Sequence, residues 1–201
     1  LEKQYSKDNK RVLEALRYAY EIAYAPVTFQ VSRLMAKFGI FQLLADAKNG
    51  LTMAEIEEKT DLSHYAVQVL LESSLTIGTV LYVDDRFVIT KTGWFLLTDP
   101  QVSIALRFNH DVTYLGMHQM EEALLNGKPE GLKVFGEWKT IYEGLSSLPQ
   151  EAQKSWLDFD HFFSDNSFEE ALQIVFSYQP ARLLDVGGNT GRWALRCVEY
   201  N

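Results

Sequence analysis

A single cysteine, Cys197, stands in 201 residues. No disulfide can therefore form within the chain, and a reducing, cytoplasmic setting is expected. The sequence lacks an uninterrupted apolar stretch of membrane-spanning length and the basic-then-apolar opening of a signal peptide. It opens on Leu1 rather than Met, so the chain reads as trimmed at its front. Positive charge is also short: 19 Lys and Arg face 27 Asp and Glu, a formal net charge of −8. That excess repels polyanions, so neither nucleic acid nor an anionic membrane is an expected partner. Internal repeats, low-complexity tracts and flexible Gly/Ser linkers are missing too. What is present is 47% apolar and 23% charged residues, the balance of a soluble globular protein of one or two domains.

Apolar residues return every three or four positions from the start. Leu13, Leu16, Tyr20, Ala23 and Tyr24 give one stripe on a helix over 8–25, which Pro26 ends. Two roles fit the dense tyrosines Tyr18, Tyr20 and Tyr24: packing in a core, or a partner-chain surface, where aromatics are enriched. Leu34, Phe38, Phe41, Leu44 and Ala45 predict a further amphipathic helix, closed by Lys48-Asn49-Gly50. Thr52 and Glu55 have capping-box form, so the next helix starts at Met53. Ser63 caps another that carries Val67, Leu70, Leu71 and Leu75 and stops at Gly78. Val80–Val83 and Phe87–Thr90 then read as strands around Asp84-Asp85-Arg86, a polar hairpin turn. This order is that of a winged helix-turn-helix over residues 1–100.

A winged helix suggests DNA, and the charges argue against it. Phosphate contacts need Lys or Arg beside the recognition helix, and Ser63–Leu75 has neither. Across 48–91 the bases Lys48, Lys59, Arg86 and Lys91 are outnumbered by seven acids. Gln68 and His64 offer base-reading groups with nothing to hold the backbone beside them.

Residues 101–179 read as a mostly helical linker, broken at Gly127–Gly131 and near Pro149. Tyr114, Leu115, His118, Ala123 and Leu124 fit one helix that Gly127 terminates. After Pro149 comes Trp156-Leu-Asp-Phe-Asp-His-Phe-Phe-Ser-Asp, four aromatics mixed with His161 and three acids. It suits a core helix with a polar face as well as a pocket wall.

The chemistry-bearing segment is Ala181-Arg-Leu-Leu-Asp-Val-Gly-Gly-Asn-Thr-Gly-Arg. Leu183, Leu184 and Val186 predict a short parallel-sheet strand, and Arg192–Tyr200 a helix after the glycine turn. Such glycines let the backbone approach a ligand that helix-start N–H groups face. The spacing fails Gly-x-Gly-x-x-Gly and also fails the Walker A pattern. What remains is Asp185, then Gly187, Gly188 and Gly191: Asp-x-Gly-Gly-x-x-Gly. A glycine turn in an unrelated α/β protein also has this form.

That motif resembles the first motif of class I S-adenosylmethionine-dependent methyltransferases. Taken with the winged helix, the Asn126-Gly-Lys-Pro break, Phe135-Gly136, Tyr142, Leu148-Pro149 and the aromatic helix, the chain resembles the O-methyltransferases of the caffeic-acid and hydroxyindole type from about Leu13 onward. The resemblance implies a winged-helix domain that pairs two subunits as a homodimer, and a Rossmann-like cofactor domain beginning at residues 180–201. It implies S-adenosylmethionine held at Asp185, Gly187, Gly188, Asn189 and Gly191. It also implies an acceptor pocket at Trp156, Phe159, Asp160, His161 and Phe163, and methyl transfer to a hydroxyl of a small molecule. Asn189 replaces a glycine common in that family's loop, and Asp160 stands where an apolar Met is frequent. The ribose-binding acid falls roughly 20 residues past the motif, and the family's His base lies further on. No catalytic residue, no metal site and no activity are therefore expected within these 201 residues. The rival reading is a non-catalytic dimeric winged-helix regulator or pairing module.

Overall fold

Helix starts and stops in the computed structural model, which describes residues 6–201, fall where short-range chemistry puts them. Helix α1 (Val12–Ala23) gives way at Tyr24 to α2 (Ala25–Lys37), whose first turn holds Pro26. Proline lacks an N–H and has φ already set for a helix, so Pro26 begins the second helix as well as limiting the first. The single helix expected through Leu34–Ala45 is two. Gly39 adopts a left-handed φ of 73° and separates α2 from α3 (Ile40–Asp46). Helix α4 (Met53–Glu58) carries the predicted capping box: Thr52 N–H donates to Glu55 Oε2 at 2.7 Å, and Glu55 N–H to Thr52 Oγ1 at 3.3 Å. Ser63 caps α5 (His64–Ile77), which Gly78 ends with φ 84°.

Strands β1 (Val80–Val83) and β2 (Arg86–Ile89) pair antiparallel, Val80 opposite Ile89 and Val83 opposite Arg86. Asp84 and Asp85 both take positive φ, 50° and 61°. A two-residue hairpin turn of that kind matches the twist of its strands. Helix α6 (Lys91–Thr98) follows, with Thr90 Oγ1 accepting from Gly93 N–H.

The chain divides into two compact units at the Ser103–Ile104 junction. In the first, Met35, Ile40, Phe41, Leu44, Ile56, Val67, Leu71 and Val80 form a fully enclosed core. The hairpin is tied to it by a Leu51–Phe87 bridge and by Arg86, which donates to Glu55 Oε2 at 2.6 Å and Oε1 at 3.2 Å. Arg86 is therefore engaged inside the fold. The other side of this unit is unusual. Val12, Leu13, Leu16, Tyr18, Tyr20 and Tyr24 on α1 are all exposed, so packing of the tyrosines in this chain's own core is not realised.

Helix α7 (Pro100–Phe108) contains the junction, and in the second unit it is followed by a π-turn at Asn109–Thr113, a 3₁₀ turn at Gly116–Gln119 and α8 (Met120–Asn126). One continuous helix was expected over Tyr114–Leu124. Its interruption has a long-range cause: Gly116 lies backbone to backbone on Gly131, where a Cβ on Gly116 would sit 3.0 Å from the Gly131 carbonyl oxygen. The breaks at Gly127–Gly131 and Pro149 are where the sequence puts them. Helices α9 (Ile141–Gly144), α10 (Gln150–Asp165), α11 (Phe168–Ser177) and α12 (Arg192–Tyr200) complete the order. Val112, Leu148 and Ala152 make a smaller core, flanked by Phe108, Phe135, Trp138 and Trp156.

The expected strand at Leu183, Leu184 and Val186 is not formed. Residues 182–185 carry no regular structure, and Leu184 and Val186 are exposed. A parallel strand exists only through hydrogen bonds to neighbouring strands, and β1 and β2 are the only strands among the described residues. No helix among the described residues is long and apolar enough to cross a membrane.

Candidate functional site

Helix α10 places the aromatic run. Residues three and four apart share a helix face, so Trp156, Phe159, Asp160 and Phe163 form a connected strip. The Phe159 ring stacks on Phe108 with centroids 4.2 Å apart and meets Phe163 at 4.9 Å. Opposite this strip runs the glycine loop. Gly187 and Gly191 take left-handed φ of 75° and 78°, and Asn189 takes 48°. Asn tolerates that region better than most side chains, because its amide bonds locally. Gly191 N–H closes the turn onto the Gly188 carbonyl at 2.7 Å, and Leu195 N–H on the Gly191 carbonyl starts α12.

Between loop and helix lies an open cleft of about 870 Å³. Asp185, Gly187, Gly188 and Asn189 line it on one side, and Phe159, Asp160, His161 and Phe163 on the other. Two of the predicted residues stand back from it. Gly191 serves as the residue before α12. Trp156 supports Asp160 from behind, donating Nε1–H to Asp160 Oδ2 at 3.1 Å. The sequence reading missed Tyr142, Leu145, Phe168, Thr190, Arg192 and Trp193, which also contribute to the wall. Thr190 lies within the motif itself and Arg192 directly follows it. Phe168 and Trp193 come together at 5.2 Å from different helices, a pairing that no local pattern announces.

Three polar contacts bind the loop to α10. Asn189 Nδ2 donates to Asp160 Oδ2 at 3.1 Å, His161 Nε2 and Thr190 Oγ1 share a hydrogen bond of 2.9 Å, and Arg192 Nη1 reaches Asp165 Oδ2 at 2.5 Å. The Asp185 carboxylate folds over Gly188 so closely that a Cβ there would lie 2.5 Å from Oδ2. Burial raises the pKa of the Cys197 thiol on α12, and the Asp185 charge raises it further. Cys197 is a packed side chain of the second unit. No group of three His, Cys, Asp or Glu residues among those described has the arrangement of a metal site.

The arrangement is an open cleft with one carboxylate at each wall, an aromatic lining and a glycine-rich loop whose Asn189 and Thr190 side chains bond to α10. Residues 16–87 match the Dimerisation2-like domain family. The fold is similar to part of several solved S-adenosylmethionine-dependent methyltransferases. The apo methyltransferase SibL superposes with a TM-score of 0.68 at 20% identity, over 92% of this chain and 55% of that one. The mitomycin 7-O-methyltransferase MmcR gives 0.68 at 18%, over 92% and 55%. Human N-acetylserotonin methyltransferase, in complex with S-adenosylmethionine, gives 0.63 at 19%, over 97% and 57%. The chain thus spans a little over half the length of these structures. Among curated proteins, none matches the sequence.

Proposed function

We propose that this chain is the dimerisation and acceptor-side part of an S-adenosylmethionine-dependent O-methyltransferase acting on a hydroxyl of a small molecule. The observation that carries the reading is the cleft, in which Asp-x-Gly-Gly-x-x-Gly meets an aromatic helix within a chain of methyltransferase fold. A volume of about 870 Å³ lies within the range of small-molecule and cofactor sites. The cofactor, when bound, supplies an electrophilic methyl group on a sulfonium centre. Asp185 suits its ammonium group, through a charge-assisted hydrogen bond. Gly187 admits it, because nothing lies within 4 Å of where its Cβ would stand, and at Gly188 the nearest atoms are those of the Asp185 carboxylate itself.

On the facing wall Phe159 and Phe163 give an acceptor an apolar platform, and Asp160 and His161 orient its polar groups. Methyl transfer needs a base to form the oxyanion and in-line placement against the sulfonium. His161 is bonded to Thr190, so it acts here as a positioning group. Residues 1–100 form the winged-helix pairing domain, 101–179 the linker and acceptor helices, and 180–201 the first part of the cofactor domain. The exposed apolar face of α1 and the match of residues 16–87 support a homodimer.

The test is calorimetry with S-adenosylhomocysteine on these 201 residues and on the longest natural chain that carries them. Micromolar binding is expected for the longer chain and weak or undetectable binding for the 201 residues. Absence of binding by the longer chain contradicts the reading.

A further inference from the structure

Two polar side chains from opposite walls of the cleft, Asn189 and Asp160, touch each other. In the structure Asn189 Nδ2 donates to Asp160 Oδ2 at 3.1 Å across 29 residues of sequence. We infer that Asp160 and Asn189 form a latch in which Asp160 is a positioning residue: it holds the glycine loop in its ligand-ready shape by anchoring Asn189 in the left-handed conformation.

Three features of the local structure support this. First, glycine takes φ near +50° without strain, whereas any other residue is held there only by its surroundings. Asn189 sits at φ 48°, and the only side-chain hydrogen bond it makes among the described residues is the one to Asp160. Second, Asp160 is itself fixed. The indole N–H of Trp156, one turn earlier on α10, donates to the same oxygen at 3.1 Å. The carboxylate is therefore a junction between a half-buried helix and an exposed loop, not a free surface charge. Third, the loop has little else on its upstream side. Residues 182–185 make no backbone ladder, so the loop is held through the Asn189, Thr190 and Arg192 contacts and through its junction with α12. Asp160 Oδ1 takes no hydrogen bond from the described residues. A bound acceptor can therefore use Oδ1 while Oδ2 keeps the latch closed.

The consequence for ligand binding rests on the methyltransferase reading; the latch itself does not. Two measurements therefore separate them. The first is amide hydrogen exchange on the 201-residue chain without ligand, comparing Asp160→Ala, Asp160→Asn, Asn189→Gly and the Asp160→Ala/Asn189→Gly double variant. Loss of one charge-assisted hydrogen bond predicts about tenfold faster exchange across residues 187–191 in Asp160→Ala. Exchange in the α10 amides near Ala152 stays at the wild-type rate. Asp160→Asn keeps an acceptor for both donors and restores slow exchange. On the Asn189→Gly background Asp160→Ala adds nothing, because the latch is already open. If Asp160→Ala leaves loop exchange at the wild-type rate, or if the effects of the two substitutions simply add, the latch does not exist.

The second measurement is S-adenosylhomocysteine titration of the same variants in the longer natural chain. A wild type that fails to bind refutes the methyltransferase reading and leaves the exchange result standing. A wild type that binds, with an unchanged Kd in Asp160→Ala, refutes the role of the latch in positioning the loop.

Discussion

Leu13→Ser on α1 tests whether the exposed apolar face is a subunit interface. Leu13 is 78% exposed and Leu16 53% exposed in the isolated chain, so neither contributes much to the chain's own fold. A fully buried Leu is worth about 1.5–3 kcal/mol relative to an exposed one. In a two-fold symmetric dimer every interface residue is buried twice. Taking the lower figure for each copy, Leu13→Ser weakens pairing by about 3 kcal/mol, or roughly a hundredfold in Kd. Sedimentation equilibrium over a range of concentrations reads this directly. Because Leu13 packs so little within the monomer, its thermal unfolding midpoint in dilute solution should change little, which separates a pairing defect from a folding defect. A wild type that stays monomeric at high micromolar concentration refutes the dimer. A wild-type dimer whose Kd Leu13→Ser leaves unchanged moves the interface off this face.

Two further predictions concern the first unit. Gly93→Ala places a methyl 2.8 Å from Ile89 Cγ1 and closer still to the Thr79 carbonyl oxygen, so it should destabilise by about 1–3 kcal/mol in urea unfolding, as overpacking does. Glu55 has its pKa held below the usual 4.5, first by the Thr52 backbone N–H and then by the Thr52 hydroxyl and the Arg86 charge, against an opposing desolvation. A lowered folded-state pKa adds stability that is complete above the unfolded value and is lost as pH falls through the folded one. The unfolding midpoint should therefore drop as pH falls through and below 4.5. Glu55→Gln should flatten that acid limb, and an identical slope in the variant contradicts the assignment.

Legibility in the sequence follows the range of the interactions. Thr52 with Glu55, Ser63 and Gly78 are satisfied by neighbours within a few residues, and each appears where the sequence puts it, while the hairpin turn is Asp84-Asp85 alone, with Arg86 already paired in β2. Gly39 carried a stop signal, but the apolar spacing from Leu34 to Ala45 runs through it unbroken and hides the break. The broken stretch before Gly127 depends on Gly116 meeting Gly131, and the Phe168–Trp193 pair joins separate helices. Periodicity contains neither contact. The candidate site divides in the same way. The glycine loop is a contiguous motif and Phe159, Asp160, His161 and Phe163 share one helix, and these residues line one cleft. Trp156, on the same helix, does not line the cleft but bonds to Asp160, which does. The strand at Leu183–Val186 failed for a different reason. Its apolar residues mark a sheet strand, but pairing is a property of the neighbours, and no strand among the described residues pairs with it.

The central claim is that the loop after Asp185 binds S-adenosylmethionine. Isothermal titration of the cofactor into the longest natural chain carrying this sequence, wild type against Asp185→Ala, tests it most directly. Micromolar binding is expected for the wild type. The variant should lose about 1.5–3 kcal/mol, some ten- to a hundredfold in Kd, the value of a hydrogen bond to a charged group. Wild-type binding that survives Asp185→Ala unchanged, or no wild-type binding at all, contradicts the account.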